Sequence, residues 1–503
     1  MSAIKFNEIP EGLRVPGVFI EVDGSQASTD NAGIPAVLIV GLRNILGTAA
    51  PNEIISCSDL ADGIAKAGAG SMLAGMLRKF YANNSFVRVF LLPVNSVAAA
   101  AKSSSTITFS GSPVENGTIS LYIGGISVQV PVVAGATAQM IGASASNLVK
   151  ASEPWLPVTT VVTTTASFTL TAKDAGICGD GIDIRLNYLQ RQKTPSGLVV
   201  SINAMSGGTT EPSALVDVDF LSTLLETDKS GFMASSVKYM VIGFNSSAIV
   251  TAFSAIADKF YRAMRSSGFR IFMAISGSVS SVSAFSSDKN SPHIACLGHN
   301  SFLSPAWEVA AAVGSSAIPV IFSHPGLPLT DIPLTNIKAG SNWTIEQQNQ
   351  LLYSGISTSY TAYDGTVYLS RVISTYRFRP NGTDDNAFLN INAAEAMDRI
   401  RYLQRVGANS VFDSCVVVSD DDFNYRPGLP IVTKDLVRAY LLERYKKKFI
   451  SELGWCQNYE YYKDTLIVED DPNNIGRIVY FDSPVLASPF YGISGRSQFR
   501  LSV

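Results

Sequence analysis

The sequence predicts a multidomain α/β protein with a parallel-sheet core, because strand and helix patterns alternate in two separate regions. From Ile34 the apolar run AVLIVG, a helix of small residues over 70–81 and the run SFVRVFLLPV follow one another. The same rhythm resumes at Val237 with KYMVIGF, an amphipathic helix, FRIFMAIS, HIACLG and an alanine-rich helix after Pro305. Strand, helix and strand at short spacing are typical of a parallel sheet with helices on its faces. We therefore assign 31–100 and 233–340 to one α/β core.

A β-rich domain is predicted between the two halves of the core, over 101–232. The composition shifts there to Thr, Ser, Val and Gly, with alternating runs such as TISLYIGGISVQVPV and TTVVTTTASFTLTA. Such alternation favours strands, and one alanine-rich stretch from Thr137 to Lys150 favours a helix. We interpret this region as an insertion on the outer side of the molecule.

The region 341–485 is predicted to form an α+β domain. Thr344 and Gln347 have the spacing of a capping box, and Asp364 with Gly365 suits a type I′ hairpin turn. Two long amphipathic helices follow, and two short strands come after them. The apolar positions of these helices are Met397, Ile400 and Leu403 in the first, and Val437, Leu441, Tyr445, Phe449 and Leu453 in the second.

Each end of the chain, 1–30 and 486–503, carries a strand-like segment on a tether that contains Gly, Ser or Pro. An isolated strand cannot satisfy its own backbone, so each segment should add to a sheet of the same chain or of a neighbour. We predict that these segments are linking arms between subunits. The residues assigned to them are Val15, Val18, Ile20 and Val22 at one end, and Gln498, Phe499, Arg500 and Leu501 at the other.

Composition excludes several classes of function. Charged residues make up 16% of the 503 residues, against about 25% in an ordinary soluble protein, which indicates surface used for contact. A net charge of −3 provides no basic face for nucleic acid. Every apolar stretch is interrupted before the roughly 18 residues that a membrane span needs, and the first residues lack the pattern of a secretory signal.

The five cysteines are odd in number, far apart and never in CxxC spacing, so neither a disulfide framework nor a zinc ribbon is predicted. We expect no metal and no cofactor. The glycine-rich AKAGAGSMLAG from Ala65 lacks the Lys and Ser/Thr of a phosphate-binding loop, and close helix packing explains it better. The acidic runs 420–422 and 469–471 are interpreted as solvated loops. An aromatic cluster could belong to a core or to an interface, and its members are Trp455, Tyr459, Tyr461 and Tyr462.

The segment GISTS, over 355–359, is faintly similar to the loop of a serine nucleophile, so an enzyme is an alternative function. A serine nucleophile needs a histidine base, and the chain has three histidines, His293, His299 and His324. None lies in the context of a hydrolase base, and no GxSxG elbow occurs. We predict that Ser357 and Ser359 are ordinary turn serines and that the protein is not an enzyme.

Five segments occur in an order that resembles the Mu-like tail sheath family. They are IPEGLRVPGVFIEVDGSQAS, AKDAGICGDGIDIRLNY, WTIEQQNQLLYSGISTSY, FLNINAAEAMDRIRYLQR and SQFRLSV. The resemblance spans both ends of the chain and most of its middle. It implies a subtilisin-like core without a working triad, an inserted β domain, and arms that interlock subunits into stacked rings of six.

The resemblance also implies a function as the structural sheath of a contractile phage tail. The implied partners are other copies of the chain, the tail tube protein, and the baseplate and tail terminator proteins, with no direct contact to nucleic acid and no membrane insertion. The implied location is the virion tail, assembled in the host cytoplasm. Contraction would drive the tube through the host envelope for genome ejection. The sheath of a phage-derived bacteriocin or another contractile injection device is an alternative, and a subtilase-like hydrolase is a second one.

A group of basic residues lies near the end of the second long helix, where the helix dipole favours cations. The group either faces inward and contacts the tail tube or is a solvated helix end. Its members are Arg444, Lys446, Lys447 and Lys448.

Overall fold

The first elements after residue 34 are strands and helices of the α/β core. The computed structural model describes residues 35–233, 238–419, 428–474 and 476–501. Strand β1 is buried along nearly its whole length, as expected for a central strand with helices on both faces. The elements are β1 (Ala36–Arg43), β2 (Ile55–Cys57), α1 (Leu60–Ala67), α2 (Met72–Asn83) and β3 (Arg88–Asn95).

Two antiparallel sheets and one helix form the region between the halves of the core. One sheet has the order β10-β4-β8-β7 and the other has the order β6-β5-β9. Alternate residues of β4, β6 and β8 are buried, as the alternating sequence predicts, whereas β5 is buried continuously over its last five residues. The elements are β4 (Ser104–Gly111), β5 (Gly117–Ile123), β6 (Ile126–Val132), α3 (Ala138–Ser152), β7 (Val158–Thr160), β8 (Ser167–Ala172), β9 (Ile184–Leu186), β10 (Leu198–Ile202) and α4 (Val218–Glu226).

The second half of the core completes a six-stranded sheet of order β13-β12-β11-β1-β3-β2. Its strands are parallel except for the edge strand β2, which runs antiparallel to β3. Val37 lies between Val89 on β3 and Tyr239 on β11. The structure thereby confirms a mixed α/β class. The added elements are β11 (Lys238–Ile242), α5 (Ser247–Tyr261), β12 (Arg270–Ser276), α6 (Val279–Ser286), β13 (Ile294–His299) and α7 (Ala306–Ser323).

A three-stranded sheet extends this core past residue 340. Its order is β14-β16-β15, and a bridge between Leu297 and Ser357 joins it to β13. The buried side chains of Leu334 and Leu369 belong to the same apolar cluster as the six-stranded sheet. The elements are β14 (Ile332–Leu334), α8 (Ile345–Tyr353), β15 (Thr358–Thr361) and β16 (Val367–Arg371). Helix α8 begins with the predicted capping box of Thr344 and Gln347.

The predicted type I′ turn between β15 and β16 is wrong. The N–H of Gly365 donates to the carbonyl of Ala362 at 3.0 Å, so Tyr363 and Asp364 are the central residues of the turn. A type I′ turn needs positive φ at both central residues, and neither has it, whereas Gly365 has φ of 84°. The glycine follows the turn in the left-handed region, which closes a three-residue loop.

The remaining elements surround a second, smaller core, built on Ile400, Leu441, Tyr445 and Phe449 as the helix patterns predict. A π-helical segment, Tyr445–Glu452, continues α10. The elements are α9 (Ile391–Phe412), β17 (Val416–Val417), β18 (Ile431–Val432), α10 (Lys434–Arg444), β19 (Cys456–Gln457), α11 (Tyr459–Thr465), β20 (Ile467–Asp470), β21 (Ile478–Phe481) and β22 (Val485–Leu486).

Helix α7 is the one helix in the described part of the chain that is long and apolar enough to cross a membrane. It has 18 residues, a mean hydropathy of 1.4, and 67% of it is buried inside the protein. Its Glu308 forms a buried ion pair with Lys79 of α2 at 3.2 Å. Gly75 allows the two helices to approach, since a Cβ there would lie 2.9 Å from Glu308 Oε1. This close packing accounts for part of the glycine-rich segment that begins at Ala65.

A buried ionic network joins α9 to the six-stranded sheet. Arg270 on β12 is fully buried, and its guanidinium pairs with Asp398 and lies 3.5 Å from Glu395. Glu395 also pairs with Arg399 at 2.8 Å and accepts a hydrogen bond of 2.9 Å from the hydroxyl of Tyr239. Each charge is expensive to bury alone, and the network satisfies them together.

We predict that Arg270→Met lowers the free energy of unfolding by about 3 to 5 kcal/mol, because it removes the cation shared by the buried Glu395 and the partly buried Asp398 and leaves them only Arg399 and Arg401. The matched control is Lys447→Met, which removes an ion pair whose side chains are 72% and 68% exposed and should change the stability by less than about 1 kcal/mol. Urea unfolding of both variants measures the difference. Equal effects would contradict a stabilising role for the network.

A buried carboxylate joins the inserted region to the core. Asp174, just after β8, accepts a hydrogen bond of 2.6 Å from the backbone N–H of Met72 at the start of α2. Burial raises the pKa of the Asp174 carboxyl to about 7, although the bond from Met72 acts in the opposite direction. The folded state therefore binds this proton more tightly than the unfolded chain, in which an aspartate has a pKa of about 3.9.

We predict a pH dependence with a defined sign at Asp174. The free energy of unfolding should fall as pH rises from about 4 to about 7, by at most ~1.4 kcal/mol per pH unit for this group. Asp174→Asn removes that contribution, so the variant should gain stability relative to wild type as pH rises toward 7, and the difference should then level off. Urea unfolding between pH 5 and 8 tests this, with the exposed Asp219→Asn as control. A constant difference across this range would contradict it.

Candidate assembly surfaces

The C-terminal segment is held by the body of the protein as far as Tyr491. Strand β22 pairs with β19, and the N–H of Ala487 donates to the carbonyl of Trp455 at 2.8 Å. The hydroxyl of Tyr491 donates to Asn390 Oδ1 at 2.9 Å, and the ring lies 4.2 Å from the guanidinium carbon of Arg371. Tyr491 is thus the last residue with a side-chain contact to the body among those for which contacts are described.

Residues 492–501 are exposed and form no strand in the single chain. The side chains of Phe499 and Leu501 are 82% and 95% exposed, and Gln498 and Arg500 are exposed as well. Such exposed apolar side chains, next to unpaired backbone, are what a strand awaiting a partner presents. The predicted role of these four residues as a linking arm stays a prediction. The arm residues Val15, Val18, Ile20 and Val22 lie outside the described residues.

The hairpin of β20 and β21 offers a sheet with two open edges. Each strand pairs only with the other in the part of the chain that the structure describes, with Val468 opposite Tyr480. Ile467, Tyr480 and Phe481 are 50%, 46% and 62% exposed. An apolar two-stranded hairpin is marginally stable by itself and gains from an added strand.

Two contacts fix this hairpin on the second core. The guanidinium of Arg438 on α10 donates to the carbonyl groups of Leu466 and Lys463, just before β20. After β21, the carboxylate of Asp482 accepts hydrogen bonds from Tyr462 at 3.1 Å and from Gln404 at 3.0 Å. The hairpin is therefore held in place at both ends while its outer edges remain open.

The aromatic cluster divides between core and surface. Trp455 and Tyr462 are buried, and the ring of Tyr462 stacks on Tyr445 with centroids 3.7 Å apart. Tyr461 is 49% exposed, and Tyr459 is partly covered by Lys446, whose Nζ lies 5.2 Å from its ring centroid. The core interpretation thus holds for two of the four residues.

The four predicted basic residues do not share one environment. Arg444 turns toward α9, where it donates to the carbonyl of Leu403 at 2.7 Å. Lys447 is exposed and pairs with Glu443 at 3.3 Å, and Lys448 pairs with Glu452 at 3.0 Å. Arg444 therefore has a structural role in the second core, and contact of Lys446, Lys447 and Lys448 with a tube stays a prediction.

Ser357, the serine that raised a hydrolase, is fully buried. Its hydroxyl donates to the carbonyl of Ile373 and accepts from the N–H of the same residue, both at 3.0 Å. Ser359 is also buried and lies within β15, and Ser357 forms a bridge with Leu297 of β13, so the prediction that both are turn serines is wrong. The Ser357 hydroxyl joins the residue before β15 to the chain after β16, and both of its described hydrogen bonds are made to the backbone. We retain the prediction that the protein is not an enzyme.

The histidines occupy three unrelated places. His299 is buried, lies against Phe302, and burial lowers its pKa to about 3. His293 is buried beside Arg270, with 2.9 Å between Nδ1 and the guanidinium, and burial lowers its pKa as well. His324 ends α7, and its Nδ1 accepts from the N–H of Gly326. Both ring nitrogens of His299 are buried without a hydrogen-bond partner among the described residues, and none of the three histidines lies beside Ser357 or Ser359 as a hydrogen-bond partner there.

The described residues contain no group of three His, Cys, Asp or Glu side chains placed to hold a metal ion. The interpretation of the acidic run 469–471 as a loop is wrong for Glu469 and Asp470, which lie in β20. Asp471 lies 3.6 Å from Arg477 and Asp470 lies 3.8 Å from Lys434. The run 420–422 lies outside the described residues. All five cysteines are free, and three of them are buried.

The sequence patterns missed Tyr491 and Arg371 as the contact where the arm leaves the body. The two residues are 120 positions apart, and neither stands in a recognisable motif. The tether pattern of Gly492 and Gly495 indicated a flexible segment, but not the residue at which it begins.

The predicted resemblance to tail sheath proteins is confirmed, because a curated prophage tail sheath protein is similar to this chain along nearly its whole length. The relative is the Mu-like prophage FluMu tail sheath protein of Haemophilus influenzae. It is 27% identical over 503 residues, which cover 99% of this chain and 100% of the relative. No protein-family profile matches the sequence.

Two solved structures resemble the chain over nearly its whole length. A chain of the anti-feeding prophage baseplate in its contracted state has a TM-score of 0.49 at 11% identity, covering 98% of this chain and 100% of that one. The sheath tail protein of Desulfitobacterium hafniense has a TM-score of 0.43 at 13% identity, covering 93% and 100%. Both TM-scores lie below 0.5, so the subtilisin-like part of the expected fold stays a prediction.

Proposed function

We propose that this protein is the structural sheath subunit of a contractile phage tail. It polymerises as stacked rings of six around the tail tube, and its contraction drives the tube through the host envelope for genome ejection. Its partners are other copies of itself, the tail tube protein, and the baseplate and tail terminator proteins. Its place is the virion tail, assembled in the host cytoplasm.

One observation supports the proposal most directly: the same chain carries an exposed segment that could add as a strand and a hairpin that could receive it. Residues 492–501 are exposed and unpaired, and the β20–β21 hairpin has two open edges with exposed apolar side chains. Strand addition between copies would satisfy the backbone of both. A link from the arm of one copy to the hairpin of the next is heterologous, so it generates rings or helices rather than a closed pair.

The strength of such a link suits a polymer. At about 0.5 to 1.5 kcal/mol net per hydrogen bond, a handful of bonds contributes a few kcal/mol per link before ordering costs. One link is weak, but a subunit held by several neighbours at once is held firmly. Gly492 and Gly495 in the tether allow the bodies to rotate while the links persist.

Two alternatives to a phage tail have different standing. The sheath of a phage-derived bacteriocin or another contractile injection device would use the same arm and hairpin, and neighbouring genes distinguish it from a phage tail. A subtilase-like hydrolase needs an accessible nucleophile, and the burial and backbone bonds of Ser357 disfavour it.

We predict that deleting 496–503 leaves a folded, soluble subunit that no longer forms tubes. Circular dichroism should show unchanged secondary structure, and negative-stain electron microscopy should show dispersed particles. The double variant Phe499→Pro, Leu501→Pro should behave in the same way because proline removes backbone donors. The matched Phe499→Val, Leu501→Val variant keeps them and should still assemble. Contractile tubes from the truncated protein would show that the link lies elsewhere.

We further predict that Lys446, Lys447 and Lys448 contact acidic groups on the tail tube. Reversing the three charges to Glu, with Arg444 retained for the core, should weaken assembly on purified tubes by about 3- to 100-fold at low salt, since exposed ion pairs contribute ~0.2–1 kcal/mol each. The effect should shrink as salt is added. The control reverses the exposed Lys102, Lys193 and Lys229. Equal assembly of both variants would contradict the contact.

A further inference from the structure

A pocket of about 410 Å³ lies between α8 and the chain that follows β16. Arg371 and Arg377 line it together with an apolar wall that includes Leu352, Tyr353 and Phe378. Tyr353 is 80% exposed and stands at the rim. The pocket is large enough for a carboxylate side chain and is open to a partner.

The two arginines of this pocket lack acidic partners among the described residues. The guanidinium of Arg371 reaches Asn390 Oδ1 at 3.5 Å, and that of Arg377 donates to the carbonyl groups of Ser286 and Ser287 at 2.8 and 3.2 Å. The Nε atoms of both arginines are buried without a hydrogen-bond partner, and burial lowers the pKa of Arg377.

Asp384 lines the same pocket, but no ion pair within 4.0 Å joins it to either arginine in the described structure. The guanidinium groups of Arg371 and Arg377 thus line the pocket with neutral oxygens, and no carboxylate, as their described hydrogen-bond partners. Arginine is the side chain best suited to bind a carboxylate, because its planar fork matches the two oxygens. The chemistry of the pocket indicates a carboxylate ligand.

The pocket lies where the C-terminal arm leaves the body. The ring of Tyr491 packs on Arg371 at 4.2 Å, so the arm begins at the edge of the pocket. From Tyr491 to Arg496 there are five chain steps, which span at most about 18 Å when extended. A neighbour that receives the arm must therefore place its receiving hairpin close to this pocket.

The receiving hairpin carries carboxylates. Asp470 and Asp471 have basic neighbours in the same chain, Lys434 at 3.8 Å and Arg477 at 3.6 Å. Glu469 is exposed and has no ion pair within the described part of its own chain. It is the carboxylate of the hairpin that is most available to a second copy.

We propose that the pocket of Arg371 and Arg377 binds Glu469 of the neighbouring copy, so that each arm link is accompanied by a second contact of defined register. This inference rests on the proposed function, because the arm brings the two surfaces together. The pocket can then bind Glu469 only when the arm pairs with the neighbouring hairpin in the correct register. A shifted arm would leave both partly buried arginines without a carboxylate, so the link would lose the free energy of that contact.

A cross-linking experiment tests the contact. Chains with Tyr353→Cys and chains with Asp470→Cys are purified separately, mixed, assembled into tubes and treated with a short bismaleimide. We expect a covalent dimer of one chain of each kind in tubes, and none in the mixture before assembly. The parent chain reports the background of its native cysteines, and Met264→Cys, at a residue that is 97% exposed, replaces Asp470→Cys as a control.

The outcomes separate this inference from the proposed function. Tubes without the specific dimer would overturn the pocket contact and leave the sheath function standing. A wild-type protein that forms no tubes would overturn both. A dimer that also forms with Met264→Cys at equal yield would overturn the contact, because it would report random collision.

A charge swap gives a second, independent measurement. Glu469→Arg, at an exposed site, should lower tube formation at low salt by about tenfold, which is the loss of ~1.4 kcal/mol per link. Adding Arg377→Glu to the same chain should restore assembly if the two groups meet. The control Asp364→Arg changes an exposed carboxylate elsewhere and should assemble normally. Assembly of Glu469→Arg at wild-type yield would contradict the contact.

Discussion

The buried charge of Arg270 constrains the architecture of this protein more than any other single group. A fully buried guanidinium is tolerated only with carboxylates beside it. In this protein, Glu395 and Asp398 of α9 are those carboxylates. The helix must therefore lie against β12 in one register and one orientation. Because α9 also carries Ile400 of the second core, the position of that core relative to the sheet follows from the same ion pairs. Apolar packing alone would permit sliding, whereas buried charges penalise every other register.

The same helix connects the core with the proposed assembly surface. Asn390 immediately precedes α9, and its side-chain oxygen accepts a hydrogen bond from the hydroxyl of Tyr491. Tyr491 is the last residue before the proposed arm that contacts the body. If a neighbouring copy pulled on the proposed arm, the force would reach the chain five residues, about 1.4 helical turns, before Glu395. The ion pairs of Arg270 with Glu395 and Asp398 lie near this end of α9, and they would oppose rotation of α9 against the six-stranded sheet. Motion between subunits is then expected in the glycine-containing tether, because the body is held and the tether is not.

The sequence predicted the elements whose patterns are local. The apolar runs at β1, β3 and β11 to β13, the capping box of α8 and the stripe of Leu441, Tyr445 and Phe449 all depend on neighbours within a few positions. It failed at two kinds of place. At the turn near Asp364 the pairing of β15 with β16 leaves three residues in the loop instead of two, and the direction of Arg444 follows the distant carbonyl of Leu403. Charge patterning reports that Arg444 is basic, but not which surface it meets. The pocket of Arg371 and Arg377 likewise depends on tertiary packing that no motif reports.

If residues 492–501 act as the proposed arm, folding and assembly can be separate steps. Phe499 and Leu501 gain nothing in the single chain, where they are 82% and 95% exposed, so they add no stability to the monomer. Burial on a neighbour would contribute about 1.5 to 3 kcal/mol for each side chain, comparable with the few kcal/mol of its backbone bonds. A subunit can then fold on its two cores and its ionic network alone, and its arm adds free energy only when a second copy is present. In the proposed assembly, growth would be favoured where a subunit satisfies several arms at once, and isolated pairs would be disfavoured.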